Sequence, residues 1–365
     1  MRPSRGMKGW GATALFVVLV AAYFVAYARA QAQADAKAAA VIADMRKALG
    51  GEQKIAALKG LSLRADYRRE MSAGPMGGGA GGGGTFIMMA GPGGGPGGGP
   101  AQMTGKIEID LDLPERYLRS DIGSGMIAIT RTEGFEGTRP FVEVVGNNPG
   151  MRITADNPAA DPARAKLALR RSNAELARLM LGVVGGTQPN FPSSFTYAGV
   201  AESADGKAHM LDVAGPEDFK VRLYVDTESN LPLMLTYMEA EPRMVMRTMT
   251  RDGGGREGGR GQAAGHEGGA PVVTTGGGRT VIGRGNAELS PEQQAELDKA
   301  RKEAEAAPPK MIEYRLFFSD YRKVDGISMP HRIARGTGAT TTEEWDVTSY
   351  KVNPSFKADR FKVGS

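Results

Sequence analysis

The chain contains no cysteine. That excludes disulfides, thiolate metal sites and the acylated cysteine of a lipoprotein. Histidine is nearly as scarce: His209, His266 and His331 are the only three. No H-x-x-H, HExxH or His-x-His spacing joins them, which argues against a catalytic zinc site. His331, on the face it shares with Met329 and Ile333, reads as a core histidine. No GxxxxGK[ST] string lies between a strand and a helix, so the glycine run at 77–84 is a linker and not a phosphate cradle. GxSxG and SxxK are absent, and Glu343 and Glu344 fall on opposite faces of a strand pattern. Neither nucleophilic nor acid–base chemistry has a visible candidate, and no cofactor or metal is expected. Excess charge is also missing. Of the net +5, four charges sit in the first 30 residues, leaving a nearly neutral body at +1. A neutral body argues against nucleic acid, which needs a basic face. The Gly/Arg tract with Arg251, Arg256 and Arg260 has no aromatic residue to stack on a base.

What is present begins with a leader. Arg2, Arg5 and Lys8 precede an apolar run, Trp10–Ala28, and Ala28-Arg29-Ala30 offers small residues for cleavage. Residues 1–30 read as a signal peptide or as an N-terminal membrane anchor, because the run is longer than the usual h-region of about 7–15 residues. In either case the basic flank places the rest of the chain outside the cytoplasm, in the periplasm.

Ala36–Leu49 carries Val41, Ile42, Met45, Ala48 and Leu49 at helical spacing, and Gly50-Gly51 ends the helix. Residues 52–59 predict another turn or two. Strands dominate thereafter. Lys106–Leu113 and Phe219–Asp226 alternate strictly between apolar and polar residues, which puts one face in a dry interior. Leu61–Arg69, Phe195–Ala201, Ala208–Val213, Leu231–Tyr237, Ile312–Val324, Ser328–Ala334 and Thr341–Tyr350 read similarly. Asp205-Gly206 and Asp325-Gly326 are hairpin turns, and such hairpins specify an antiparallel meander. One helix interrupts, Asp161–Leu181, with Leu167, Leu169, Leu176, Leu179 and Met180 on its apolar side and a basic back. The back reads as a solvated face or as a contact for anionic lipid headgroups.

Two low-complexity inserts break the meander, at about 72–102 and 252–310. Ser72–Pro100 is dominated by glycine. Asp252–Arg284 is Gly/Arg-rich and leads to a polar helix, Glu292–Ala306, opened by a capping box at Ser290, Pro291 and Gln293. Glycine tracts bury too little to offset backbone entropy, so both inserts predict flexible loops between strands.

The apolar inventory remains. The chain holds 19 methionines, a side chain that suits adaptable apolar surfaces as well as plain core. Five phrases have a more specific look: LGGEQKIAALKGL (Leu49–Leu61), LPERYLRSD (Leu113–Asp121), FEGTRPF (Phe135–Phe141), LYVDTESNLPL (Leu223–Leu233) and FSDYRKVDGISMPHRI (Phe318–Ile333). The leading helix with the strand after it, the LPERYLRSD strand, the VDTESNLPL hairpin and the closing SDYRKVDGISMP strand pair resemble the LolA/LolB-like periplasmic lipoprotein carrier and sorting family.

That resemblance implies a single α+β domain, mainly antiparallel β, over 31–365. Its form would be an incomplete β-barrel with helices covering the concave face. It implies a non-catalytic binder of lipid or acylated protein, a monomer, with no nucleic acid partner. The expected cavity wall is Leu61, Leu63, Ile107, Ile109, Leu111, Val221, Leu223 and Val225, and the expected lid residues are Leu176, Leu179 and Met180. Alternation alone fits wall and core equally. The alternative is an envelope interaction or stress-sensing module of the RseB-like kind, tethered by its N-terminal segment and meeting a protein partner.

Overall fold

The computed structural model describes residues 35–71, 101–124, 129–146, 151–155, 157–240, 244–247, 272–275, 278–284, 295, 299, 310–338, 340–357 and 359–362. The leader, the first glycine-rich insert and nearly all of the Ser290-capped helix lie outside the described residues. Helix α1 covers 35–49 and α2 covers Glu52–Ala56. Strands β1 (Gly60–Met71), β2 (Ala101–Asp112), β3 (Arg116–Gly123), β4 (Ile129–Glu136), β5 (Arg139–Gly146) and β6 (Met151–Ala155) precede helix α3 (Pro162–Val184). After it come β7 (Ser194–Ser203), β8 (Gly206–Ala214), β9 (Lys220–Asp226), β10 (Pro232–Ala240), β11 (Met244–Arg247), β12 (Val272–Thr275) and β13 (Gly278–Arg284). The long strands β14 (Met311–Val324), β15 (Ile327–Thr337) and β16 (Thr340–Val352) close the chain.

Twelve strands form one sheet in the order β5-β4-β3-β2-β1-β16-β15-β14-β10-β9-β8-β7, and each neighbouring pair is antiparallel. This is the expected antiparallel meander with two non-sequential pairings: β1 pairs with β16 in its middle, and β10 pairs with β14. The sheet does not close, and β5 and β7 are its edges. The chain passes from one edge to the other through α3, so this helix has to cross a face of the sheet. It touches β4 and β5 on one side and β10 and β15 on the other. Strands β4 and β10 lie seven places apart in the order, which in a flat sheet is ~34 Å at ~4.8 Å per strand. A helix is only ~10–12 Å wide. The sheet is therefore curled around α3, an incomplete barrel with the helix in its hollow.

The side chains facing that hollow make the core. Leu61, Leu63, Ala65 and Tyr67 of β1 join Ile107, Ile109 and Leu111 of β2, Val221, Leu223 and Val225 of β9, and the buried side of both long helices. Asp161 caps α3, accepting from Ala163 N at 2.9 Å. The buried part of α3 is shorter at its start than the apolar stripe suggested. Leu167 is exposed, burial begins at Leu176 and it is continuous from Leu179. From Leu179 to Val184 every residue is buried, because α1 lies across this end, with Arg46 Nε donating to Gly185 O at 3.4 Å. Close approach fixes α1 in turn: a Cβ on Gly50, at φ 140°, would stand 2.6 Å from Gly326 O in the β14–β15 turn.

A second sheet, ordered β11-β12-β13-β6, was not expected. Two of its strands, β12 and β13, come from the Gly/Arg-rich tract read from the sequence as loop. That tract is short in apolar residues except at 272–273 and 281–282, and those few positions fall within the strands.

Candidate functional site

All eleven expected wall and lid residues meet in one cluster. Leu63, Ile107, Leu111, Leu223 and Val225 are 0% exposed. The protein's own side chains therefore pack against them, and a guest has to displace a helix to reach them. Helix α3 is the one that bridges the two halves of the sheet. Gly182 of α3 packs closely on β14: an added Cβ would lie 1.9 Å from Cζ of Phe318. Tyr321 Oη reaches Gly182 O at 3.1 Å and Pro232 O at 2.8 Å. Gly182→Ala is expected to push α3 away from β14 and lower stability by about 1–3 kcal/mol, as overpacking does; urea unfolding monitored by tryptophan fluorescence reads the loss.

Beside the apolar layer, under the same helix, lies a buried ionic cluster that the sequence reading missed. On β3 and β4 the inward positions are charged: Arg119 faces Glu133 and Asp121 faces Arg131. Arg119 Nε donates to Asp121 Oδ1 at 2.9 Å, and its Nη1 pairs with Glu175 of α3. Glu343 of β16 accepts from Arg69 Nε at 3.1 Å and Nη2 at 3.0 Å, and from Trp345 Nε1 at 2.5 Å. The Arg119 guanidinium lies 5.1 Å from the Trp345 ring centroid. One turn on from Glu175, Arg178 donates to Glu239 of β10 at 3.2 Å and covers the Tyr237 ring at 3.8 Å. Tyr237 stacks on Tyr314 at 5.6 Å and 19°, and Arg335 Nη2 donates to Tyr237 Oη at 2.7 Å.

The surroundings shift the acidities. Burial pushes Glu343 up, but the charges of Arg69, Arg119 and Arg335 and the Trp345 hydrogen bond outweigh it, so the carboxylate stays below its usual range. Burial raises Glu175, against the pull of Arg119 and with the push of Glu133. Burial carries Tyr67 up to about 12. These ion pairs join α3 to both halves of the sheet with opposite signs: an acid on the helix to β3, a base to β10. Among the described residues no group of three or more His, Asp or Glu is placed to hold a metal ion. His331 is half-buried, its Nδ1 3.1 Å from Met329 O.

The outer face carries a second polar centre. After β16 the chain folds back, and Phe361 is buried against the sheet. A polar cleft of about 550 Å³ lies beneath this strap, lined by Ser62, Arg64, Asp110, Lys351 and Arg360 among others. Asp110 accepts from Ser62 Oγ at 2.6 Å, Arg64 Nη1 at 2.8 Å and Arg360 Nε at 2.6 Å. Burial raises its pKa, but the Arg64 and Ser62 hydrogen bonds and the Arg64 and Arg360 charges bring it below 3.8. A depressed folded value means the carboxylate contributes fully above the unfolded value and loses its contribution as pH falls through the folded one. Asp110→Asn is expected to lower stability at pH 7 by about 1–3 kcal/mol, the partly exposed arginines limiting the loss. The two proteins should converge in strong acid, as thermal unfolding from pH 7 to pH 2 would register.

No family model matches the chain, and no curated protein matches it. Among solved structures, the chain is similar to a LolA superfamily protein from Nitrosomonas europaea, at 8% identity and TM-score 0.39 over 89% of this chain and 97% of that one. It is also similar to a domain assigned to outer membrane lipoprotein sorting from Vibrio parahaemolyticus, at 8% identity and TM-score 0.36 over 88% and 94%. A DUF1329 family protein from Desulfovibrio piger gives 6% identity and TM-score 0.36 over 89% and 97%.

Proposed function

We propose that the protein is a non-catalytic binder of acyl chains in the cell envelope, taking a lipid or the lipidated end of a protein beneath α3. The observation that carries this reading is the position of α3. One helix spans the hollow of an unclosed sheet, lies on a continuous apolar layer, and is fastened to the two halves by Glu175–Arg119 and Arg178–Glu239. Swinging such a helix aside exposes Leu61, Leu63, Ile107, Ile109, Leu111, Val221, Leu223 and Val225 as a wall, and Leu176, Leu179 and Met180 as the underside of the cover. Each methylene placed there contributes about 0.8 kcal/mol. A twelve-carbon chain contributes about 9–10 kcal/mol in this way, and that gain is what offsets the cost of displacing the helix and of association.

The test is a titration with a fluorescent fatty acid, with native mass spectrometry of the protein purified from its envelope fraction. Saturable uptake of one chain per protein is the expected result. No saturation to about 100 µM, with no lipid carried through purification, would overturn the reading.

A further inference from the structure

If acyl chains bind beneath α3, the structure also describes the guest's polar end. We propose that this end is a single anionic group, a carboxylate or phosphate monoester, that replaces Glu239 between Arg178 and Arg335. The proposal rests on the acyl-binding reading above.

Three elements meet at this point: α3 supplies Arg178, β10 supplies Glu239 and β15 supplies Arg335. One oxygen, Glu239 Oε2, serves both cations, at 3.2 Å from Arg178 Nη1 and 3.8 Å from Arg335 Nη2. The two arginines are 15% and 14% exposed, whereas Glu239 is 38% exposed. Nε of Arg178 and Nε of Arg335 are both buried without a hydrogen-bond partner. Buried guanidinium donors without acceptors are unfavourable, and each guanidinium has a planar fork that matches a two-oxygen anion. The neighbouring acids have their own partners: Glu175 is bound to Arg119, and Glu343 to Arg69 and Trp345. Two largely buried cations therefore share one carboxylate, the most accessible group of the three.

A free headgroup is not tethered to β10 and can present both oxygens. It would accept from Arg178 and Arg335 together while its tail runs under Leu176, Leu179 and Met180, on the same helix as Arg178. The Arg178–Glu239 pair between α3 and β10 is then exchanged for a bridge from α3 to β15 through the guest. The guest fastens its own cover.

The experiment displaces a bound fluorescent fatty acid with dodecanoate, dodecyl phosphate and methyl dodecanoate at pH 8. At least about tenfold tighter binding of the two anions than of the ester is expected, from charge-assisted bonds the ester cannot make. Either order of the two anions supports the proposal and tells carboxylate from phosphate guests. Arg335→Gln should bring the anion-to-ester ratio near one. Glu239→Gln, which keeps the side chain's volume, should raise the ratio by removing the competing carboxylate. Equal binding of acid and ester, or a ratio unmoved by Glu239→Gln, would overturn the headgroup proposal and leave acyl binding standing. Failure of all three to displace the probe would overturn acyl binding itself.

Discussion

Glu343→Gln should lose about 3–5 kcal/mol of stability at pH 7, because it removes a buried anion from beside Arg69 and Arg119. Glu343 is 3% exposed, and Arg69 and Arg119 beside it are 11% and 3% exposed. Glutamine keeps the volume and can still accept from Trp345 Nε1, so the loss isolates charge from packing. The pH dependence has a definite sign. Glu343 has a folded pKa below its ordinary 4.5, so its contribution is complete above that pH and disappears as pH falls through the folded value. Urea unfolding at pH 7 and at pH 3 should therefore show a large difference between wild type and variant that shrinks in acid. A difference under about 1 kcal/mol at pH 7 would mean the cluster is as weakly coupled as a surface pair.

The other large effect concerns the apolar layer. Leu223 is 0% exposed and lies between Leu211 of β8 and Leu235 of β10. A carboxyl group there has no partner, and burial of that kind raises a pKa by about 3–5 units; at pH 7 the fold then holds it protonated at a cost of about 3–4 kcal/mol, to which the lost packing and the unpaired polar group add. Leu223→Glu should unfold the protein or leave it marginal, and fatty-acid uptake should vanish with the wall. Leu223→Met, which conserves volume, should lose less than about 1.5 kcal/mol. The expected contrast is readable by circular dichroism and by the same fluorescent titration. A folded Leu223→Glu protein with normal uptake would remove Leu223 from the wall.

The sequence showed the strands that bury one clean apolar face. Alternation in Lys106–Leu113 and Phe219–Asp226 found β2 and β9, and Asp325-Gly326 found the turn between β14 and β15, where both residues have positive φ. Strand β3 defeats the same reasoning. Its inward residues are Tyr117, Arg119 and Asp121, while Leu118 faces outward and is buried under the C-terminal strap. The hydrophobic period there is out of phase with the hollow, so the ionic cluster stayed hidden. A signal was available in Arg119/Asp121 and Arg131/Glu133. Opposite charges two residues apart share one face of a strand, and two such strands side by side pair crosswise. Glu343 was set aside because Glu344 points the other way, yet that geometry is what buries Glu343 and leaves Glu344 outside with Arg68. The bridge made by α3 depends on strand order, which local pattern does not carry.

Because the chain has no cysteine, a single engineered thiol reports directly on the cover. Met180, 3% exposed, sits on the underside of α3, and Met180→Cys places a thiol against the layer where the guest is to lie. If α3 swings open, labelling by a small thiol reagent should run about 100-fold faster than global unfolding, and saturating dodecanoate should slow it at least about tenfold by filling the space. Labelling no faster than global unfolding, and indifferent to dodecanoate, would show α3 to be a fixed part of a solid core and would contradict the account.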